Sequence, residues 1–166
     1  MHGAETGVNH GEIQTMMNSI LRRAAILGIA AILASYGSAP ALSQEKSLYE
    51  RLGGYDAIAA SVDDFFGRLA GDKLNGKFLA TLSNERKKIA RQLTVDYICE
   101  KSGGPCFYLG RNMKESHQGM GISKADWDAS IVQLDATLDK FKVEGQTRTD
   151  FVAMVSGLEG DIVDKN

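Results

Sequence analysis

Side chains able to bind a metal or act as a nucleophile are scarce in this chain. Among 166 residues there are three histidines (His2, His10 and His117), two cysteines (Cys99 and Cys106) and one tryptophan, Trp127. His117 sits in the run Tyr-Leu-Gly-Arg-Asn-Met-Lys-Glu-Ser-His-Gln-Gly, residues 108–119. A lone histidine on a short helix is most simply a core or surface residue. A structural zinc site needs four nitrogen or sulfur ligands, which one histidine and two cysteines supply poorly. Nothing in the local charge favours an activated thiolate for Cys–His chemistry. Haem makes a smaller demand, because the porphyrin brings four nitrogens and one axial imidazole completes the protein's share. Met113 lies four residues before His117, so the imidazole N–H is placed to bond a carbonyl of the preceding turn and fix the other nitrogen for iron. Gly119 and Gly121 are expected to let the backbone run close beneath a flat ligand.

The amino-terminal residues isolate His117 further. Residues 17–43 carry Arg22 and Arg23, then an unbroken apolar or glycine stretch from Ala24 to Ala34, then small residues and Ala39-Pro40-Ala41 or Ala41-Leu42-Ser43. That is the pattern of a signal peptide. The alternative is a retained anchor, but the apolar run is short of the ~20 residues a spanning helix needs. Residues 1–16 are polar and read as an over-called start or a disordered leader. The remaining domain, residues 44–166, holds a single histidine. Export to the bacterial periplasm or beyond is the expectation, with no membrane association once the signal is removed. With 19 Lys and Arg against 21 Asp and Glu, the chain has no basic footprint for nucleic acid.

These residues need helices to position them. Ser47 with Glu50 forms a capping-box pattern that opens a short helix, stopped by Gly53-Gly54. Ile58, Val62, Phe65, Phe66 and Leu69 fall on one helical stripe over about Tyr55 to Ala70. A short irregular piece carries Leu74, Phe78 and Leu79. Residues 84–101 read as a helix with Ile89, Leu93, Tyr97 and Ile98 as its apolar positions, ended by Gly103-Gly104-Pro105. A short helix over 112–119 carries His117. Ser123 to Asp126 then starts a helix striped with Trp127, Ile131, Leu134, Leu138 and Phe141. A last helix from about Thr147 turns Phe151, Met154, Val155, Leu158 and Ile162 inward. No stretch alternates as a strand would, so the class is all-α.

SLYERLGG at 47–54, VDDFFGRLAGDKL at 62–74 and GGPCFYLGRNMKESHQGMGI at 103–122 occur together and in order. With the two amphipathic helices that follow, the chain resembles a group I truncated haemoglobin over nearly all of Ser47 to Val163. The resemblance implies a two-over-two helical sandwich around haem b (iron protoporphyrin IX), with His117 as the proximal iron ligand. It implies Phe78, or its neighbour Leu79, packing on the haem face and Phe66 at the distal position. Ala90, Thr94, Tyr97 and Ile98 would roof the ligand pocket. Tyr108, Met113, Ile122, Trp127 and Leu134 would make proximal and side-wall contacts, and Arg111 and Lys114 would pair with the propionates. Many members carry tyrosine where this chain has Phe66, and a glutamine at the place of Thr94, with Gln92 just off it. In an exported protein Cys99 and Cys106 suggest a disulfide, two separate buried thiols being the alternative.

The function implied is reversible binding of a diatomic gas (O2, NO or CO), with an unidentified reductase as a partner. Two alternatives stand beside it. One is haem-dependent nitric-oxide dioxygenase or peroxidase-like turnover, which a phenylalanine at position 66 disfavours because it cannot donate a hydrogen bond. The other is a cofactor-free helical interaction module of the envelope.

Overall fold

Serine–carboxylate pairs set the two clearest helix starts. Ser47 Oγ accepts the Glu50 N–H at 3.2 Å, and a Glu50 carboxylate oxygen accepts the Ser47 N–H at 2.8 Å, completing the expected capping box. Ser123 and Asp126 repeat the arrangement at 3.2 and 2.9 Å. The computed structural model describes residues 45–164, and eight helices follow one another there. They are α1 Leu48–Arg51, α2 Gly54–Gly71, α3 Gly76–Ala80, α4 Asn84–Lys101, α5 Met113–His117, α6 Lys124–Lys140, α7 Gly145–Ser156 and α8 Glu159–Ile162. The described residues contain no strand, and none of their helices is long and apolar enough to cross a membrane. The segments 1–16 and 17–43 expected to be leader, with residues 44, 165 and 166 of the expected 44–166 domain, lie outside the described residues.

Helix α2 packs on α4 and also meets α6, which in turn pairs with α7. Two apolar clusters hold this two-over-two arrangement. Ile58 and Val62 of α2 meet Val95 of α4, with Phe66 packed against them. Leu134 and Leu138 of α6 meet Phe151 of α7, with Phe65 and Ile131 alongside. Leu52 and Ile98 touch both clusters, so they join the two layers.

Three details differ from the sequence pattern. On α4 the fully buried positions are Val95 and Cys99, whereas Ile89 is 58% exposed. The residues facing α2 at helical spacing are therefore one step round from the stripe read in the sequence, since a helix of low mean hydropathy carries no single dominant face. The piece after α2 is partly helical, as α3. The last helix is interrupted: Leu158 N–H bonds the Val155 carbonyl at 2.9 Å, a tightened i→i−3 turn, and the chain restarts as α8.

Charged contacts tie the layers together. Asp64 of α2 accepts from Arg68 at 2.6 Å and, across to α6, from Thr137 at 3.0 Å and Lys140 at 2.5 Å. These donors hold its carboxyl at about 2, Lys140 contributing most. Asp126 is buried, receives Ser123 and pairs with Lys77 of α3 at 2.8 Å. The Lys77 ammonium, then Ser123, lower the Asp126 carboxyl from 3.8 to about 2.

A depressed folded pKa stabilises the fold above the unfolded value, and that stability is lost as the pH falls from about 4 to about 2. Lys77→Met is accordingly expected to cost roughly 1 kcal/mol at pH 6, because Lys77 is half exposed and screened. In thermal melts the wild-type and variant curves should converge near pH 2. A difference that persists there would show that the loss comes from packing rather than charge.

Candidate functional site

Asn112 caps α5 by accepting the Glu115 N–H at 2.8 Å, and this one-and-a-half-turn helix ends on His117. The His117 ring is half-buried, and its Nδ1 lies 2.8 Å from the Met113 carbonyl oxygen. A carbonyl can only accept, so Nδ1 is the donor, and in the neutral ring this tautomer leaves the lone pair on Nε2. That is the state in which imidazole ligates a metal.

After His117 the chain turns through Gly119 (φ +77°) and Gly121 (φ +67°). No protein atom lies within 4 Å of a Cβ built at either position. Left-handed backbone calls for glycine at both positions. The far end of the domain holds this turn in place. Gly121 N–H donates to the Asp164 carboxylate at 2.7 Å, Asp164 N–H donates to the Ile122 carbonyl at 2.9 Å, and α8 packs on α5. Asp164 is 43 residues from Gly121, and no local spacing announced it.

Upstream of α5, the connecting loop is fastened to α4. A disulfide joins Cys99 to Cys106, with Cα atoms 5.7 Å apart. Gly104 N–H donates to the Cys99 carbonyl at 2.8 Å. A Cβ on Gly104 would come within 2.5 Å of the Tyr49 ring and 2.7 Å of Cys99 Sγ, so only glycine fits there. Glu100, another residue the sequence did not single out, accepts the Tyr108 N–H at 2.7 Å. The Tyr108 ring meets Tyr97 edge-on, with centroids 5.1 Å apart, and its hydroxyl donates to the Arg111 carbonyl at 2.6 Å. Tyr97, Tyr108 and the Arg111 carbonyl are thus linked just ahead of α5, within which Met113 meets His117. Phe107 and Leu109, between them, are 81% and 89% exposed.

The residues expected above the iron divide into two groups. Ala90, Thr94 and Tyr97 lie on the side of α4 turned away from Val95 and Cys99, at helical spacing. Ile98 instead packs in both core clusters. Thr94 Oγ1 donates to the Ala90 carbonyl at 2.9 Å, so its proton is committed to its own helix. Gln92 donates to the Tyr55 hydroxyl at 2.7 Å and to Asp96 at 2.9 Å, and is exposed. Burial pushes the Tyr97 phenol up, against the opposing pull of Lys101. Tyr97 therefore stays protonated and able to donate through neutral pH.

Phe66 packs against the Ile58–Val62–Val95 cluster, and Leu134 belongs to the cluster shared by α6 and α7. Phe78 and Leu79 are half-buried on α3, with the Lys77 ammonium 4.7 Å from the Phe78 ring centre. Ile122 and Trp127 are buried, while Arg111 and Lys114 are exposed. A cavity of about 70 Å3 lies among Leu52, Ile58, Ile98, Leu138 and Phe151. Among the described residues no group of three or more His, Cys, Asp or Glu side chains is gathered to hold a bare metal ion. The donor set fits a group that brings its own equatorial ligands.

The model of the bacterial-like globin family matches residues 47–164. A group 1 truncated hemoglobin of Tetrahymena pyriformis is 28% identical over 124 residues, covering 75% of this chain and all of the relative. Another, of Mycolicibacterium paratuberculosis, is 31% identical over 121 residues, covering 72% of this chain and 86% of the relative. The crystal structure of the T. pyriformis truncated hemoglobin in its Fe(III) form superposes with a TM-score of 0.65 at 28% identity, covering 72% of this chain and 100% of that one. The chain is a bacterial-like globin and belongs to the group I truncated, two-over-two haemoglobins.

Proposed function

We propose that the chain holds haem b through His117 Nε2 and binds a diatomic gas reversibly, outside the cytoplasm. The observation that carries this reading is the 2.8 Å contact from Nδ1 to the Met113 carbonyl, which leaves Nε2 of the only described histidine available to a metal. Haem supplies the iron on which the gas is taken up. The protein's part is to fix the imidazole through α5, to brace the loop before it and to set polarity above the iron. Arg111 and Lys114, both exposed beside His117, are suited to charge-assisted bonds with propionates.

On the distal side, Phe66 offers no proton and the Thr94 proton is already committed, which leaves Tyr97 as the available donor. A weak hold on bound gas follows, and it favours exchange over dioxygenase turnover. Phe66→Tyr is expected to slow oxygen release at least about tenfold, the worth of one new hydrogen bond of about 1.4 kcal/mol. Flash photolysis or stopped-flow displacement by CO measures that rate. An unchanged rate would remove Phe66 from the distal set. The Cys99–Cys106 bond and the signal-like leader both support an oxidising compartment. The test of the whole reading is to purify the protein with haem and record ferric, ferrous and CO-bound spectra. A protein that folds but takes up no haem would end it.

A further inference from the structure

Helix α5 has five residues, well short of the ~12–15 at which a helix begins to hold itself together in water. Its place in the fold is therefore set by what grips its two ends. The upstream end is gripped through the Cys99–Cys106 bond and the Glu100 carboxylate on Tyr108 N–H. Downstream, Gln118, Gly119, Met120 and Gly121 are all exposed, and a Cβ on either glycine would meet no atom within 4 Å. Side-chain packing thus does little to fix this turn. Hydrogen bonds do: Met120 N–H donates to the His117 carbonyl at 3.1 Å, and two further bonds join the turn to Asp164. The bond from Gly121 N–H ends on a carboxylate, which makes it the charge-assisted one of the three. The bond from Asp164 N–H ends on the carbonyl of buried Ile122, so Asp164 is itself held beside the turn.

The interrupted last helix serves the same contact. Short α8 packs on α5, and Val163 leaves it in an extended conformation (φ −76°, ψ 124°) that brings Asp164 to Gly121. We propose that Asp164 is a positioning residue for His117: it clamps the downstream end of α5 and so limits how freely the imidazole moves. The proposal rests on the reading of His117 as the iron ligand. A tie that only stabilised the end of the chain would change melting and leave the imidazole alone. A clamp changes both.

The test compares three variants of the purified protein. Asp164→Ala removes the acceptor, and Asp164→Asn keeps an oxygen for Gly121 N–H. Arg148→Ala is the control, because Arg148 of α7 pairs with Asp135 and Asp139 of α6 and its loss loosens a different tie. In the haem-free protein, amide exchange followed by NMR should quicken at Gly121 by about tenfold in Asp164→Ala, the worth of one hydrogen bond. It should stay unchanged in Arg148→Ala. In the ferrous haem-loaded protein, the iron–imidazole stretching band of the resonance Raman spectrum should shift or broaden in Asp164→Ala. Haem transfer to an acceptor globin should quicken several-fold in the same variant, with Asp164→Asn close to wild type. Unchanged Gly121 exchange in Asp164→Ala would overturn the proposal. So would an unchanged iron–imidazole band, or one that Arg148→Ala moves as far. Faster Gly121 exchange in a protein that takes up no haem would end it differently, by removing the ligand role of His117 while leaving the tie to Asp164 in place.

Discussion

Replacing His117 by alanine is expected to remove the haem from this protein while leaving its helices in place. His117 is the one histidine among the described residues, and its Nδ1 is held by the Met113 carbonyl. Losing an outer partner of a metal ligand alone costs about 10–100-fold in affinity, so losing the ligand itself should cost at least about 100-fold. The Soret band should then collapse or shift to that of free haem, and the ferrous–CO spectrum should be lost. Far-UV circular dichroism of the haem-free forms should stay alike, because His117 is only half-buried at the end of a five-residue helix. His117→Gly supplied with imidazole in solution should recover the band in part. A His117→Ala protein with an unaltered Soret band would mean that another residue ligates the iron.

Cutting the Cys99–Cys106 bond should have the second-largest effect, this time on stability. The bridge closes a short loop, seven positions apart in sequence, for which the chain-entropy estimate is about 2.5 kcal/mol. For a domain of this size that corresponds to a melting temperature lower by roughly 10 °C. Cys106→Ser is the better variant, because Cys99 is fully buried against the core and a lone thiol is tolerated there. Loss of the bond also frees the loop that carries Tyr108, whose contacts to Glu100, Tyr97 and Arg111 lead into α5. Haem transfer to an acceptor globin should therefore quicken several-fold in Cys106→Ser. Dithiothreitol should lower the wild-type melting temperature and leave the variant's alone. Equal melting temperatures for oxidised wild type and Cys106→Ser would show that the bridge contributes no stability.

Much of the site was legible because its signals are local. The capping box at Ser47, the helix start at Ser123, glycine breaks and the four-residue step from Met113 to His117 are all set within a turn or two of chain. The all-α class followed from the same short-range periodicity. Helix α4 was the least legible element, because it presents apolar residues on several sides. Only packing against α2 chose Val95 and Cys99 over Ile89 as its buried positions.

The sequence by itself determined that one histidine stands on a short capped helix, among helices of known order, with a motif set that resembles one globin group. It could not determine which carbonyls, hydroxyls and carboxylates that helix and its neighbours would meet. The Asp164 hold on the turn after His117, the Glu100 grip on Tyr108, and the ties of Gln92 to Tyr55 and Asp96 were decided by tertiary structure. So was the commitment of the Thr94 proton to Ala90. Residue type says what a group can donate or accept. Its actual partner depends on which helix faces lie together, and that is a property of the packed domain as a whole.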